Sequence, residues 1–352
     1  MTPSRPGRTL SSCATSACSR PRDASPPGAA AVASAGPLRI LVLRGGPSAE
    51  REVSLHSGAA VAAALRQGGF TVLEADIAPD NLAALDAGGF DLVFPVLHGA
   101  FGEDGQLQAI LEDRHIPYAG CDAASSRLAM NKCLAKRAFL KAGLSTPDAE
   151  LIETTSRPDL DAAELNPRVE RVLRRVGLPC VIKPNFQGSS IGVQITPSAD
   201  QARRAVAAVL ADYGDCLIER FIKGRELTAG ILDDRSLPLL EVRPAADFYD
   251  YQAKYHDDRT QYLFDIDVPP ALLDRAAQDA RRAFAALRCR DFARVDLILD
   301  PAGVPYILEV NTIPGFTDHS LLPKAAARAG LSLAQMCSEI VRMAQRRSIP
   351  HL

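Results

Sequence analysis

Tryptophan is absent from the 352 residues and aromatic side chains make up only 5%, so any core must be built by aliphatic packing. Acid and base nearly cancel. The 40 Lys and Arg against 42 Asp and Glu leave a net charge of −2, and nucleic acid, which calls for a broad basic field, is not an expected partner. No apolar run reaches the length of a membrane span, about 20 residues. The cysteines, at positions 13, 18, 121, 133, 180, 216, 289 and 337, include no C-x-x-C pair. That argues against a zinc centre or a disulfide framework and fits a reducing, cytoplasmic setting. What is present is a chain long enough for two or three modest domains, with 47% hydrophobic residues to fill them.

Residues 1–37 are rich in Ser, Pro, Ala and Arg, with Asp23 the single acid, and lack hydrophobic periodicity. A disordered extension is expected there, either a dispensable tail or a mis-assigned start. The Arg and Ser content also resembles a transit peptide, whereas the segment lacks the uninterrupted apolar stretch of a secretory signal.

Residues 38–43 form a short apolar strand that runs into Gly45-Gly46-Pro47-Ser48 and then a helix over 54–65, the opening of a βαβ unit. Glu50, just ahead of that helix, is placed to hold a ligand ammonium. Further strands are expected over 70–75 and 92–97, the latter ending in His98-Gly99-Ala100-Phe101-Gly102-Glu103, beyond a strand terminus where open α/β sheets bind ligands. A helix over 106–114 and a short strand over 117–121 complete a first domain. A long helix over 123–142 follows, carrying Lys132 and Lys136, and then a helix over 159–176.

The strand 178–184 delivers Lys183 into Asn185-Phe186-Gln187-Gly188-Ser189-Ser190-Ile191-Gly192. Backbone N–H groups of such a loop can wrap phosphate oxygens, and Lys183 adds a point charge, although no Walker loop is present. The strand 216–222 carries Glu219, suited to reading an adenine amino group or ribose hydroxyls. Strands over 225–232 and 237–242 precede Phe248–Tyr255, a polar and aromatic stretch of lid character. Helices close the pattern over 272–287 and 331–344.

Two apolar runs, 295–299 and 306–310, flank the turn residues Asp300-Pro301-Ala302-Gly303, which predicts an antiparallel hairpin. Arg294 and Asp296 share a face of the first strand, as do Glu309 and Asn311 of the second. Two carboxylates and an amide oxygen are hard ligands suited to Mg²⁺, and a bridging cation would relieve the cost of carboxylates set among Val, Ile and Leu.

In this order, G-G-P-S-A-E-R-E-V-S-L, L-H-G-A-F-G-E-D-G, K-P-N-F-Q-G-S-S-I-G-V, F-Y-D-Y-Q-A-K-Y, R-V-D-L and E-V-N-T-I-P-G-F-T-D-H-S-L resemble the D-alanine–D-alanine ligase family of the ATP-grasp fold, over about residues 38–345. The resemblance implies an α/β fold: an N-terminal open parallel-sheet domain (38–121), then a two-subdomain α+β ATP-grasp module (122–218 and 219–345), and a tail at 346–352. It implies two D-alanines joined at the expense of ATP through an acyl phosphate, for peptidoglycan precursor synthesis, with Mg²⁺ (two ions, replaceable by Mn²⁺) and sometimes a homodimer.

Residue by residue, the resemblance gives Glu50 the first ammonium, with Ser189 and Tyr255 hydrogen-bonded to it. Lys132, Lys183, Ser189, Glu219, Glu226 and Lys254 fall to ATP, and Asp296, Glu309 and Asn311 to Mg²⁺. Arg294 falls to the acyl-transfer step, His98 to substrate binding, and Ser320 with Leu321 to the second substrate's carboxylate. Tyr255 is implied to favour an amino acid over lactate as acceptor. Asn131 and Ala109 depart from the family's usual Asp and Gly. The rival readings are an ATP-grasp ligase using D-serine or D-lactate and a nucleotide-binding module without turnover.

Overall fold

The segment Arg39–Arg44 does not alternate, because both of its faces are covered: Ile40, Leu41, Val42 and Leu43 are all buried, as befits a central parallel strand. The computed structural model describes residues 36–153, 162–243 and 260–348. In it this strand, β1, pairs in parallel with β2 (Thr71–Asp76) on one side and β3 (Leu92–Pro95) on the other. Helix α1 (Arg51–Gln67) crosses from β1 to β2, α2 (Ala83–Asp86) leads into β3, and α3 (Gln106–Asp113) follows it. The strand expected over 117–121 reduces to one parallel bridge between Val93 and Tyr118, because Gly120, at φ +97°, turns the chain away.

The expected long helix over 123–142 is in fact two, α4 (Ala123–Met130) and α5 (Lys132–Lys141). Asn131 between them is extended, at ψ 94°, and its Oδ1 accepts from Leu134 N at 3.0 Å, an N-cap that stops one helix and restarts another. Asn185 reinforces the break, its Oδ1 accepting from Cys133 N at 2.9 Å. The consequence is functional, since the new helix starts at Lys132.

A second sheet, antiparallel in the order β4-β7-β5-β6, comprises β4 (Ala149–Ile152), β5 (Cys180–Pro184), β6 (Gln194–Thr196) and β7 (Cys216–Arg220). Helices α6 (Ala162–Val176) and α7 (Ala199–Tyr213) bury Val169, Val172, Ala202 and Val206 against it.

The third sheet runs β11-β10-β8-β12-β13, with β9 (Arg235–Ser236) beside β8 (Arg225–Leu232), then β10 (Leu240–Arg243) and β11 (Gln261–Leu263). Strands β12 (Phe292–Leu299) and β13 (Pro305–Asn311) form the expected hairpin. Helix α8 (Pro270–Ala286) packs beneath it, with Ala276, Ala280 and Ala283 in one core with Val295, Leu297 and Leu299.

Helix α9 (Leu321–Arg328) was not expected. The closing helix α10 (Leu333–Ser348) begins two residues later than its apolar pattern predicts. Met336, Ile340 and Val341 of α10 share a core with Val61 and Leu65 of α1, so the chain's last helix helps to cover the first sheet.

Candidate active site

The hairpin sets its charged face by a register shift. Asp296 pairs with Glu309 and Arg294 with Asn311, but Leu297 pairs with Ile307, leaving Leu308 as an extra residue. Without that bulge, Ile307, Glu309 and Asn311 would share one face. With it, Ile307 is buried in the core while Glu309 and Asn311 stay half-exposed on the side of Arg294 and Asp296. Directly opposed residues of an antiparallel pair hold their Cβ atoms about 5 Å apart, so the two carboxylates are neighbours.

Each carboxylate has a cationic partner. Arg294 grips Asp296 with a fork, Nε to Oδ1 at 2.9 Å and Nη2 to Oδ2 at 2.7 Å, and Thr228 Oγ1 donates to the same Oδ1 at 2.7 Å. Lys132 Nζ lies 2.9 Å from Glu309 Oε2 and donates to the Gln187 carbonyl at 2.8 Å. Lys132 thereby ties the hairpin to the glycine-and-serine loop of the second sheet.

That loop bends sharply. Ser189 and Ser190 have φ of +50° and +58°, and Gly192 follows at +72°. The Ser189 hydroxyl donates to the carboxylate of Glu50, which stands at the N-cap position of α1. The β1–α1 turn beneath Glu50 is fixed from within. Gly45 N donates to Ser54 Oγ at 2.8 Å, and Ser54 Oγ donates to the Val96 carbonyl at 2.7 Å.

His98 follows β3 and is buried beside Glu103, its Nδ1 3.9 Å from Glu103 Oε1. Burial disfavours the charged imidazole, yet the carboxylates of Glu103 and Glu50 outweigh it and raise the His98 pKa. Ser320 and Leu321 open α9, held close to α1 because Phe316 N donates to Ser57 Oγ at 3.2 Å.

On the second sheet, Lys183 and Glu219 face one another, Nζ to Oε1 at 3.0 Å. Glu219 is 2% exposed, and its other oxygen lies 2.6 Å from Lys136 Nζ. Burial alone would raise the Glu219 pKa, but the two ammonium groups override it and lower it. Sequence reasoning gave Lys136, Glu103 and Thr228 no role. For Lys136 a local signal existed: it lies four residues after Lys132, on the same side of α5.

These residues line two adjoining cavities. One, of about 110 Å³, is bordered by Glu50, His98, Ser189, Arg294, Asn311 and Ser320. The other, of about 560 Å³, is bordered by Lys183, Glu219, Glu226, Asp296 and Phe221-Ile222 just past the end of β7. Lys132 and Glu309 border both. Residues anticipated for the amino-acid substrates thus gather in the smaller space, while Lys183, Glu219 and Glu226, anticipated for the nucleotide, border the larger and Ser189, anticipated for both, borders the smaller. Lys254 and Tyr255 lie outside the described residues.

Residues 79–121 match the family described as D-ala D-ala ligase N-terminus, and residues 139–342 match D-ala D-ala ligase C-terminus. The chain is 41% identical over 303 residues to D-alanine–D-alanine ligase B of Chromobacterium violaceum, covering 86% of this chain and 96% of that protein. Among solved structures, the D-alanine–D-alanine ligase of Bacillus anthracis complexed with ATP superposes with a TM-score of 0.75 at 33% identity, over 89% of this chain and 98% of that one. The VanG D-Ala:D-Ser ligase of Enterococcus faecalis also gives a TM-score of 0.75, at 28% identity, over 88% and 99%. By sequence and by fold, the chain belongs to the D-alanine–D-alanine ligase family.

Proposed function

We propose that this chain is an ADP-forming ligase that joins two D-alanine molecules for cell-wall precursor synthesis, using ATP. The observation that carries the reading is the pair of cavities meeting at Lys132 and Glu309, an arrangement that would set a substrate carboxylate in the smaller one against a phosphate in the larger. The ATP-complexed relative supports nucleotide binding by this fold.

Glu50 receives the ammonium of the first D-alanine, and Ser189 holds Glu50 in place. Lys183 and the 188–192 loop receive the phosphates, while Glu226 borders the cavity where the ribose is expected. Attack of the first carboxylate on the γ-phosphate gives an acyl phosphate and ADP. The amine of the second D-alanine, its carboxylate near Ser320 and Leu321, then displaces phosphate. Arg294, at the edge of the smaller cavity, offers its guanidinium to the oxyanion formed in that step.

Asp296, Glu309 and Asn311 suit Mg²⁺. They place hard oxygen donors on one face, and the carboxylates are balanced here by Arg294 and Lys132, cations that a metal ion can relieve. When bound, the ion supplies charge neutralisation of the phosphoryl oxygens. Among the described residues no helix is long and apolar enough to cross a membrane, and we assign the enzyme to the cytoplasm, whose reducing setting suits the free cysteines.

Incubation with ATP, Mg²⁺ and D-alanine, followed by mass analysis, tests the reading. One D-alanyl-D-alanine per ADP is expected. In competition with D-serine and D-lactate, D-alanine is the preferred acceptor, and a predominant mixed dipeptide or depsipeptide would overturn that preference. Nucleotide binding without ADP release would leave the module without turnover.

A further inference from the structure

A buried carboxylate flanked by two lysines needs only one of them to be neutral. Glu219 lies between Lys136 of α5 and Lys183 of β5, and the two lysines differ in how they are held. Lys136 Nζ donates to Thr146 Oγ1 at 2.8 Å and to the Pro147 carbonyl at 3.0 Å, and it forms an ion pair with Glu219 Oε2 at 2.6 Å, so it is held on three sides. It does not border the larger cavity. Lys183 Nζ has Glu219 as its partner among the described residues and does border that cavity, so two of its N–H bonds remain for a ligand.

We propose that Lys136 is a positioning residue for nucleotide binding: while protonated it stays with Glu219 as its counter-ion, so that Lys183 can turn to the phosphates. The inference rests on the larger cavity being the ATP site. If Lys136 is lost or neutral, Glu219 is left buried with a single cation. Lys183 must then choose between it and the nucleotide, because an unpaired buried carboxylate is far costlier than an unfilled phosphate contact.

The same contacts reach the metal hairpin. Thr146 Oγ1, which accepts from Lys136, donates to the Ile307 carbonyl of β13 at 2.8 Å. The charged groups around Lys136 Nζ are Glu219 on β7, Lys183 on β5 and Asp148 ahead of β4. Arg175 of α6 already binds Asp148, at 3.1 Å, and also binds Glu150. β13 contributes no charge directly to Lys136, only that carbonyl through Thr146. Burial, aided by Lys183, lowers the Lys136 pKa to about 8 against the pull of Glu219. The positioning lysine therefore loses its proton in an accessible range.

Calorimetric titration of the full-length protein with ATP and, separately, adenosine, tests this across pH 7 to about 9.5. In the wild type, ATP affinity falls as pH rises through about 8 while adenosine affinity stays level. Lys136→Met weakens ATP about tenfold or more at neutral pH and flattens the profile. Adding Lys136→Met to Lys183→Met weakens ATP no further, since both changes remove the same phosphate contact.

Wild-type ATP affinity in a folded Lys136→Met protein, additive losses in the double variant, or a level wild-type ATP profile would each overturn the proposal. The wild-type profile decides if the variant does not fold. Absence of ATP and adenosine binding in the wild type would instead refute the nucleotide site itself.

Discussion

The hydroxyl of Ser189 is the most economical place to read binding and folding together. It belongs to the loop of the second sheet, yet it donates to Glu50 at the start of the first helix, so one hydrogen bond spans two structural layers. Glu50 is 6% exposed, and a bond to a charged, poorly hydrated acceptor contributes about 1.5–3 kcal/mol. Ser189→Ala removes that donor and keeps a Cβ at φ +50°, so the backbone strain is the same in both proteins. No core contact is lost, but the fold loses that bond, so the melting temperature should fall by a few degrees, about 2 °C per kcal/mol. Glu50 is also left less firmly placed, raising the KM for the first D-alanine about tenfold. Initial rates of ADP release against D-alanine concentration, at saturating ATP, read this directly. An unchanged KM, even with the melting temperature lowered, would refute the placement of Ser189 as the residue that steadies Glu50.

Three further outcomes follow from the same geometry. Arg294→Ala lowers kcat about 10²-fold or more with ATP affinity little changed, measured by steady-state kinetics; unchanged turnover would remove Arg294 from the acyl-transfer step. His98 has a raised folded pKa, so its charged form contributes stability fully below the unfolded value of 6.5 and loses it as pH climbs through the folded value. His98→Gln should therefore cost more in urea unfolding at about pH 6 than at about pH 9, and an equal cost at both would contradict the pairing with Glu103. Phe292 lies within 6.1 Å of the Phe94 ring and 5.5 Å of the Phe316 ring, where the first sheet meets the hairpin, so Phe292→Ala should cost about 3–5 kcal/mol by denaturant titration.

What could be read from the sequence was whatever depends on neighbours along one strand or turn. Arg294 with Asp296, and Glu309 with Asn311, are two residues apart, and strand geometry alone puts each pair on one face. The bulge at Leu308 could not be read. It arises because Ile307 belongs in the core with Val295 and Leu297, and nothing in Tyr306–Val310 shows which residue the partner strand will skip. The break at Asn131 was hidden for a related reason. Residues 123–142 have helical composition throughout, and the cap gains its support from Asn185, far along the chain. Helix α9 is hard to see in the sequence because it is only eight residues long and its N-cap, Ser320, makes no side-chain capping bond.

Lys136 shows the same limit at the level of chemistry. On α5 it is one more lysine of the kind that usually faces water, and only the folded chain supplies the reason for its burial. Glu219 arrives from β7 with a charge that Lys183 could balance alone, until Lys183 is needed elsewhere. A strand pattern can announce that a lysine and a glutamate approach a phosphate site. It cannot announce the second lysine that makes the first one available, because that requirement exists only once three elements have buried one carboxylate between them.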